Sequence, residues 1–441
     1  MITTGAQDGA ANGALSRTAY ALGCLGLYLF CFTGLFWQEG FHAGLILMLL
    51  GLLLSIGRQW LTLYRSPAFW TALVCTLYVI GSAFTRTHRL IPELDTVDVW
   101  RSAFDLSAIA GLYCIIMAWA LQLHARNLQR ALVLYLLGYL TALCLGADWG
   151  NLAAYLADRP LFGLGSGFGI YTLSTMTGLL IFAYGTAGTA EAGRQQRPAR
   201  IAALALFTFL LVLFVLGQMR GAWLAALIIL PLVAAGLVRM HWRAHPGTPA
   251  RSGALTLGLA LALLLVVVLG YDTIVQRILA EWDVLQTWLE EGASELRISS
   301  ASYRIWLWQD ALEKIRERPL LGWGPGSSPY LIARSDLLQH LSHYHNLYLQ
   351  IAAEIGLVGL ALFAAWLWLV CRGLYRASAE GRVQPAMTLL LSALVMTFAL
   401  VSLVQYRHSE PGQFYMIYVG GLAVACQLRF RRLDGAARSN G

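Results

Sequence analysis

Apolar runs of about 20 residues, the length needed to cross a bilayer, recur along the whole of this 441-residue chain. Within hydrocarbon only helices and closed barrels satisfy their own backbone hydrogen bonds. The runs are continuous and rich in Leu and Ala rather than alternating, which excludes a barrel. They predict an all-α polytopic membrane protein. Charged residues make up 12% of the chain, against about 25% in a soluble domain. Twelve spans are predicted, at about 18–37, 41–57, 67–85, 102–123, 129–147, 166–187, 200–217, 220–239, 253–271, 346–371, 384–405 and 412–429. The first reads as a retained span rather than a signal peptide, because no A-x-A-like cleavage site follows it. All seven cysteines lie in apolar runs without CxxC spacing. They read as small buried hydrophobes, not as a disulfide framework or zinc site.

The net charge of +8 could point to nucleic acid, but the positions of the charges argue for topology instead. With the N-terminus inside, 18 basic residues fall on the inner side and six in short outer connections. That is the bias expected when both termini are cytoplasmic. The remaining seven lie between Asp272 and Tyr344, in one long outer loop. There "TIVQRILAEWDVLQTWLEEGASE" has helical apolar spacing, and "SSASYRIWLWQDALEKIRERP" opens on serine caps and stops at Pro319. A Gly/Pro turn region, "LLGWGPGSSPY", follows. The chain thus divides into spans one to nine (1–271), an ordered helical loop subdomain (272–345), and spans ten to twelve with a short tail (346–441).

Candidate chemistry gathers on that outer face. His340, His343 and His345 stand in H-x2-H-x-H spacing where the loop re-enters the bilayer, with no cysteine nearby and only Asp336 as a close acid. This is a poor zinc set, and no metal is expected. His340 reads as interfacial. His345 and Asn346 open span ten, where free N–H groups and the helix dipole suit an anion. His345 either caps there or takes a proton from a hydroxyl. Arg220, in "LGQMRGAWLAAL", has almost no loop to hold it and either snorkels as an anchor or meets an anion. Arg304 sits among Tyr303, Trp306 and Trp308. Guanidinium forks take phosphate oxygens bidentately, so the two arginines and an imidazole can form a site for a lipid-linked phosphate or pyrophosphate. Arg86, Arg89, Arg407 and His408 are secondary candidates. Asp148 and Asp158 read as solvated loop acids, and Glu354 as a packing hydrogen-bonder facing away from His345. "GLGSGFG" and "GWGPG" follow no strand, so no nucleotide cofactor is expected.

Together, the twelve spans, the loop, "QMRGAWLA", "SYRIWLWQDAL", "LLGWGPGS" and "HYHNLYLQIAAEIGLVGL" resemble the O-antigen ligase family, within a superfamily that includes O-antigen polymerases and protein O-oligosaccharyltransferases. The resemblance implies a GT-C-like bacterial inner-membrane enzyme active at the periplasmic face without metal or cofactor. It implies a glycan donor on undecaprenyl pyrophosphate and an acceptor hydroxyl on lipid A–core oligosaccharide. Arg220 and Arg304 match the family's motif arginines and would hold the pyrophosphate. His345 matches the motif histidine and would be general base for an inverting transfer; His343 and Asn346 beside it are secondary candidates on their own chemistry. A polymerase would share donor and residues and differ in acceptor. A lipid-linked glycan transporter would need ionisable residues at mid-membrane and repeat symmetry, which the sequence lacks.

Overall fold

The computed structural model describes residues 5–55, 66–109, 111–124, 126–157, 160–185, 196–244, 282–292, 297–333, 341–405 and 410–439, with positions 275, 279 and 338. The described residues are helical, without strands. In chain order the main helices are α1 (Gly5–Thr33), α2 (Gln38–Leu54), α3 (Pro67–Ser82), α4 (Thr96–Ile109), α5 (Leu112–Gln122), α6 (Asn127–Gly146) and α7 (Phe168–Gly185). Then come α8 (Arg197–Leu216), α9 (Arg220–Ala244), α10 (Ser300–Glu317), α11 (Leu347–Ala379), α12 (Pro385–Val401) and α13 (Glu410–Ser439). Eleven of the twelve predicted spans coincide with these helices; the one at 253–271 lies outside the described residues.

Six of the described helices are long and apolar enough to cross a membrane, or seven if the bent α4–α5 pair is one span. The chain is a multi-pass membrane protein. Only a third of the most apolar stretch of α6, α8 and α9 is buried within the protein. Large side chains such as Leu224, Leu227 and Phe209 point outward, as they do where lipid is the solvent. By contrast 78% of the α7 stretch is buried, so this helix runs through the centre of the bundle. Its serine and threonine side chains are all engaged. Thr172, Thr175 and Thr177 donate to carbonyls four residues back, and Ser174 pairs with the Tyr415 hydroxyl at 2.7 Å.

Two predicted spans are broken. Residues 102–123 are two helices bent by 50°. At the break Gly111 takes φ +103 and lies so close to the indole of Trp366 that a Cβ would clash with it. α11 contains one non-helical residue, Gly356, at φ +73 and ψ 178. Beyond it, residues 357–379 rise about 34 Å, enough to cross a bilayer unaided. Residues 347–355 therefore form a separate short helix standing on that span. The cysteine expectation holds for five of seven, while Cys144 and Cys371 are exposed on helix surfaces. An apolar run does not distinguish a core-facing cysteine from a lipid-facing one.

The predicted loop subdomain at 272–345 is helical over much of its described length. A helix runs over 282–290, and α10 starts at a capping box between Ser299 and Ser302. Leu307 and Ala311 of α10 pack with Ile332, Tyr344 and Ala353 in a small second core. That core seats the loop on the short helix above Gly356.

Candidate functional site

The histidine loop is fixed from several sides. Asn346 caps α11, its Oδ1 accepting from the N–H groups of Tyr348 (3.0 Å) and Leu349 (3.1 Å). The Leu347 N–H donates to the carbonyl of Ser402 in the turn after α12 at 3.0 Å. On the loop side, Trp308 of α10 donates through Nε1 to the Tyr344 carbonyl at 3.1 Å. The Tyr344 N–H donates to Gln350 Oε1 at 3.1 Å, and Gln350 Nε2 donates to Glu354 at 2.7 Å. Glu354 also receives the Ser102 hydroxyl at 3.5 Å and faces the Gly326–Ser328 turn. It is the packing group the sequence predicts, and through Gln350 it reaches the histidine loop.

Held this way, His345 sits at φ +50, a left-handed conformation that non-glycine residues seldom adopt. Such strain persists only where the surroundings over-determine it, and it clusters at functional sites. The His343 and His345 rings lie 4.2 Å apart, tilted by 50°. His345 has its proton affinity lowered to a pKa of about 4, first by burial, then by His343 and by the Arg304 guanidinium. Burial lowers His343 as well. Both imidazoles are therefore neutral at pH 7. Among the described residues no third histidine, cysteine or carboxylate joins them in a metal-sized cluster.

The arginines reach this region by different routes. Arg304 lies one turn before Trp308 on α10, and its charge is felt at His345. Arg220 is the first residue of α9, after a tight connection in which Gln218 takes φ +48. The neighbouring Gly221 lies against Val404, in the same turn that receives the Leu347 N–H through Ser402. The 402–404 turn thus adjoins the first residues of both α9 and α11. Arg86 is in a π-helical turn, Ala83–Thr87, whose Thr87 hydroxyl donates to Pro325 at 3.3 Å. Arg89 is exposed just after it. Arg407, His408, His340 and Asp158 lie outside the described residues. Asp148 is not simply solvated: its carboxylate caps the 149–151 turn by accepting from Gly150 and Asn151.

Two features of the geometry escape a reading by residue type. Asn346, Gln350 and Glu354 share one face at four-residue spacing, which the sequence displays, but nothing in it aims Gln350 back at Tyr344. In "GWGPG", Gly322 lies against the Glu354–Gly356 backbone of α11, Gly324 against Thr87 and Gly326 against α4. Trp323 and Gly324 donate to the carbonyls of Ala353 (3.0 Å) and Glu354 (2.7 Å), while Leu357 and Val358 donate to Pro319 (2.8 Å) and Leu320 (3.1 Å).

Residues 204–364 match the family model described as O-antigen ligase. This stretch of the chain is similar to the O-antigen ligase family. Its Arg220, Arg304, His343, His345 and Asn346 all lie within the matched residues, and Arg86, Arg89 and Arg407 lie outside them. Three relatives share the name "Putative polysaccharide ligase". They are 38% identical in Rickettsia conorii, 41% in Rickettsia prowazekii and 40% in Rickettsia typhi, each over 73 residues. Each match covers 14% of this chain and 18% of the relative's length. The O-antigen ligase family match supports a ligase- or polymerase-type function in a membrane protein.

Proposed function

We propose that this protein transfers a glycan from undecaprenyl pyrophosphate to a sugar hydroxyl of lipid A–core oligosaccharide, at the periplasmic face of the bacterial inner membrane. The observation that carries the reading is a strained, neutral imidazole at the start of α11 under the field of Arg304. Arg304 and Arg220 hold the donor pyrophosphate and stabilise its charge as it leaves. His345 takes the proton of the acceptor hydroxyl while that oxygen attacks the anomeric carbon, opposite the departing phosphate, so the configuration inverts. Asn346 and the Gln350–Glu354 pair keep the histidine in place.

The lowered proton affinity of His345 fits this sequence of events. In the empty site burial lowers the ring's proton affinity most, and His343 and the Arg304 guanidinium lower it further. A bound pyrophosphate would offset the Arg304 part and raise the affinity of the ring, which favours its work as a general base. The base is thus tuned by the arrival of the donor.

The test combines purified protein, lipid-pyrophosphate glycan and lipid A–core in the presence of EDTA, with products separated on a gel. Glycan-capped lipid A supports the ligase. Lengthened lipid-linked glycan with bare lipid A–core would assign a polymerase using the same residues on another acceptor. Neither product, with glycan moved across a sealed vesicle, would assign a transporter.

A further inference from the structure

The end of α11 remote from His345 holds a second polar feature. A cavity of about 270 Å³ lies between α11, the start of α3 and α13. Arg372 and Arg376 from the last turns of α11, and Arg382 just after it, line the cavity, with Leu369 and Leu428 in its wall. Glu380 is the one carboxylate among its described lining residues, and it pairs with Arg382. Arg372 and Arg376 have no ion-pair partner among the described residues. The Arg382 Nε is buried and without a hydrogen-bond partner. Three guanidiniums against one carboxylate leave a net charge of about +2 that no other described residue of the lining neutralises.

The depth of this cavity identifies the partner. It opens where the 357–379 span has risen through the full hydrocarbon thickness. The Arg372 guanidinium lies 4.8 Å over the ring of Trp368, and Trp368 and Tyr375 are both exposed, as aromatic residues are at a membrane interface. A free anion would need only the arginines. A lipid also uses the apolar wall. We propose that this cavity binds an anionic phospholipid, its phosphate oxygens accepting from Arg372, Arg376 and Arg382, and its acyl chains leaving past Leu369 and Leu428 into the bilayer. The site is separate from the His345 region and does not depend on the glycan-transfer reading.

The experiment is native mass spectrometry of the full chain in detergent, titrated with phosphatidylglycerol or with phosphatidylcholine. Phosphatidylglycerol should be retained on the wild type at lower concentration than phosphatidylcholine. The double variant R372Q/R376Q should retain it about 30-fold more weakly, as removal of two interfacial charges implies. R239Q/R243Q, which removes two exposed arginines from the end of α9, should bind like the wild type. Equal losses in both double variants would reduce the effect to bulk charge, and no loss in R372Q/R376Q would remove the site; either result overturns the proposal. So would competition by glycerol phosphate at the same concentration as the whole lipid, since that describes a free-anion site. Should R372Q/R376Q fail to fold, the wild-type comparison decides alone: equal retention of the two lipids would refute it.

Discussion

Replacing Gly356 by alanine should uncouple the histidine loop from the membrane span beneath it. At φ +73 and ψ 178 the residue occupies a region essentially restricted to glycine. A Cβ there would stand 2.2 Å from the Leu320 carbonyl oxygen and 2.5 Å from the Leu321 nitrogen. Both are backbone atoms, so no side chain can swing away. The strain costs about 1–3 kcal/mol. Relief requires separating the 319–324 strand of loop from α11, and four backbone hydrogen bonds join them. At about 1 kcal/mol net each, partial loss brings the total to roughly 3–5 kcal/mol. Gly381 supplies the control. It has a similar φ of +69, but nothing lies within 4 Å of its missing Cβ, so Gly381→Ala should cost only about 1 kcal/mol. The assay is amide hydrogen exchange of the protein in detergent, followed at Trp323, Gly324, Leu357 and Val358. In Gly356→Ala these amides should exchange at least about 100-fold faster than in wild type, with transferase activity lost. In Gly381→Ala they should not change. If the two variants exchanged alike, the ladder across Gly356 would not be what holds the site.

Other outcomes follow from the same geometry. His345→Ala should lower turnover by about 10²–10⁴-fold while donor binding persists, as single-turnover and binding measurements would separate; unchanged turnover would remove the histidine from the mechanism. The acid limb of kcat/KM for the donor, which reports the free enzyme, should fall near pH 4, and that of kcat, which reports the donor complex, should lie higher, as paired pH profiles would show. The same group links pH to stability. Its pKa is about 4 in the folded protein against an ordinary 6.5, so the unfolded chain binds more protons between those values. Its contribution is complete above 6.5 and is lost as pH falls towards 4, which thermal unfolding of wild type against His345→Ala would reveal. Arg304→Ala and Arg220→Ala should each weaken donor binding by about 10- to 100-fold, measured by titration with lipid-linked pyrophosphate. Unaltered affinity in both would refute the clamp. Gln350→Leu strands the Tyr344 N–H and removes one of the partners of Glu354, and should destabilise the loop by about 1–3 kcal/mol, seen as faster exchange at Tyr344.

The sequence by itself determined the solvent and the scaffold. Runs of apolar residues admit few solutions in a bilayer, and helix signals are local, so spans, serine cap and loop helix were all legible from neighbouring residues. His345, Asn346, Arg220 and Arg304 were visible as well, because such groups are costly at membrane depth unless they act. The breaks were decided elsewhere. Gly111 and Gly356 look like ordinary glycines of apolar helices until Trp366 and the 319–324 loop arrive against them. The same holds for "GWGPG", whose Gly322 makes room for the α11 backbone and whose Gly324 and Gly326 make room for residues 87–102, and for Gln350, whose amide turns back to Tyr344. Those contacts join positions dozens to hundreds of residues apart or reverse the direction of a helix. Local periodicity carries no term for either, so only the tertiary packing could bring the imidazole, its strain and the Arg304 field to one place.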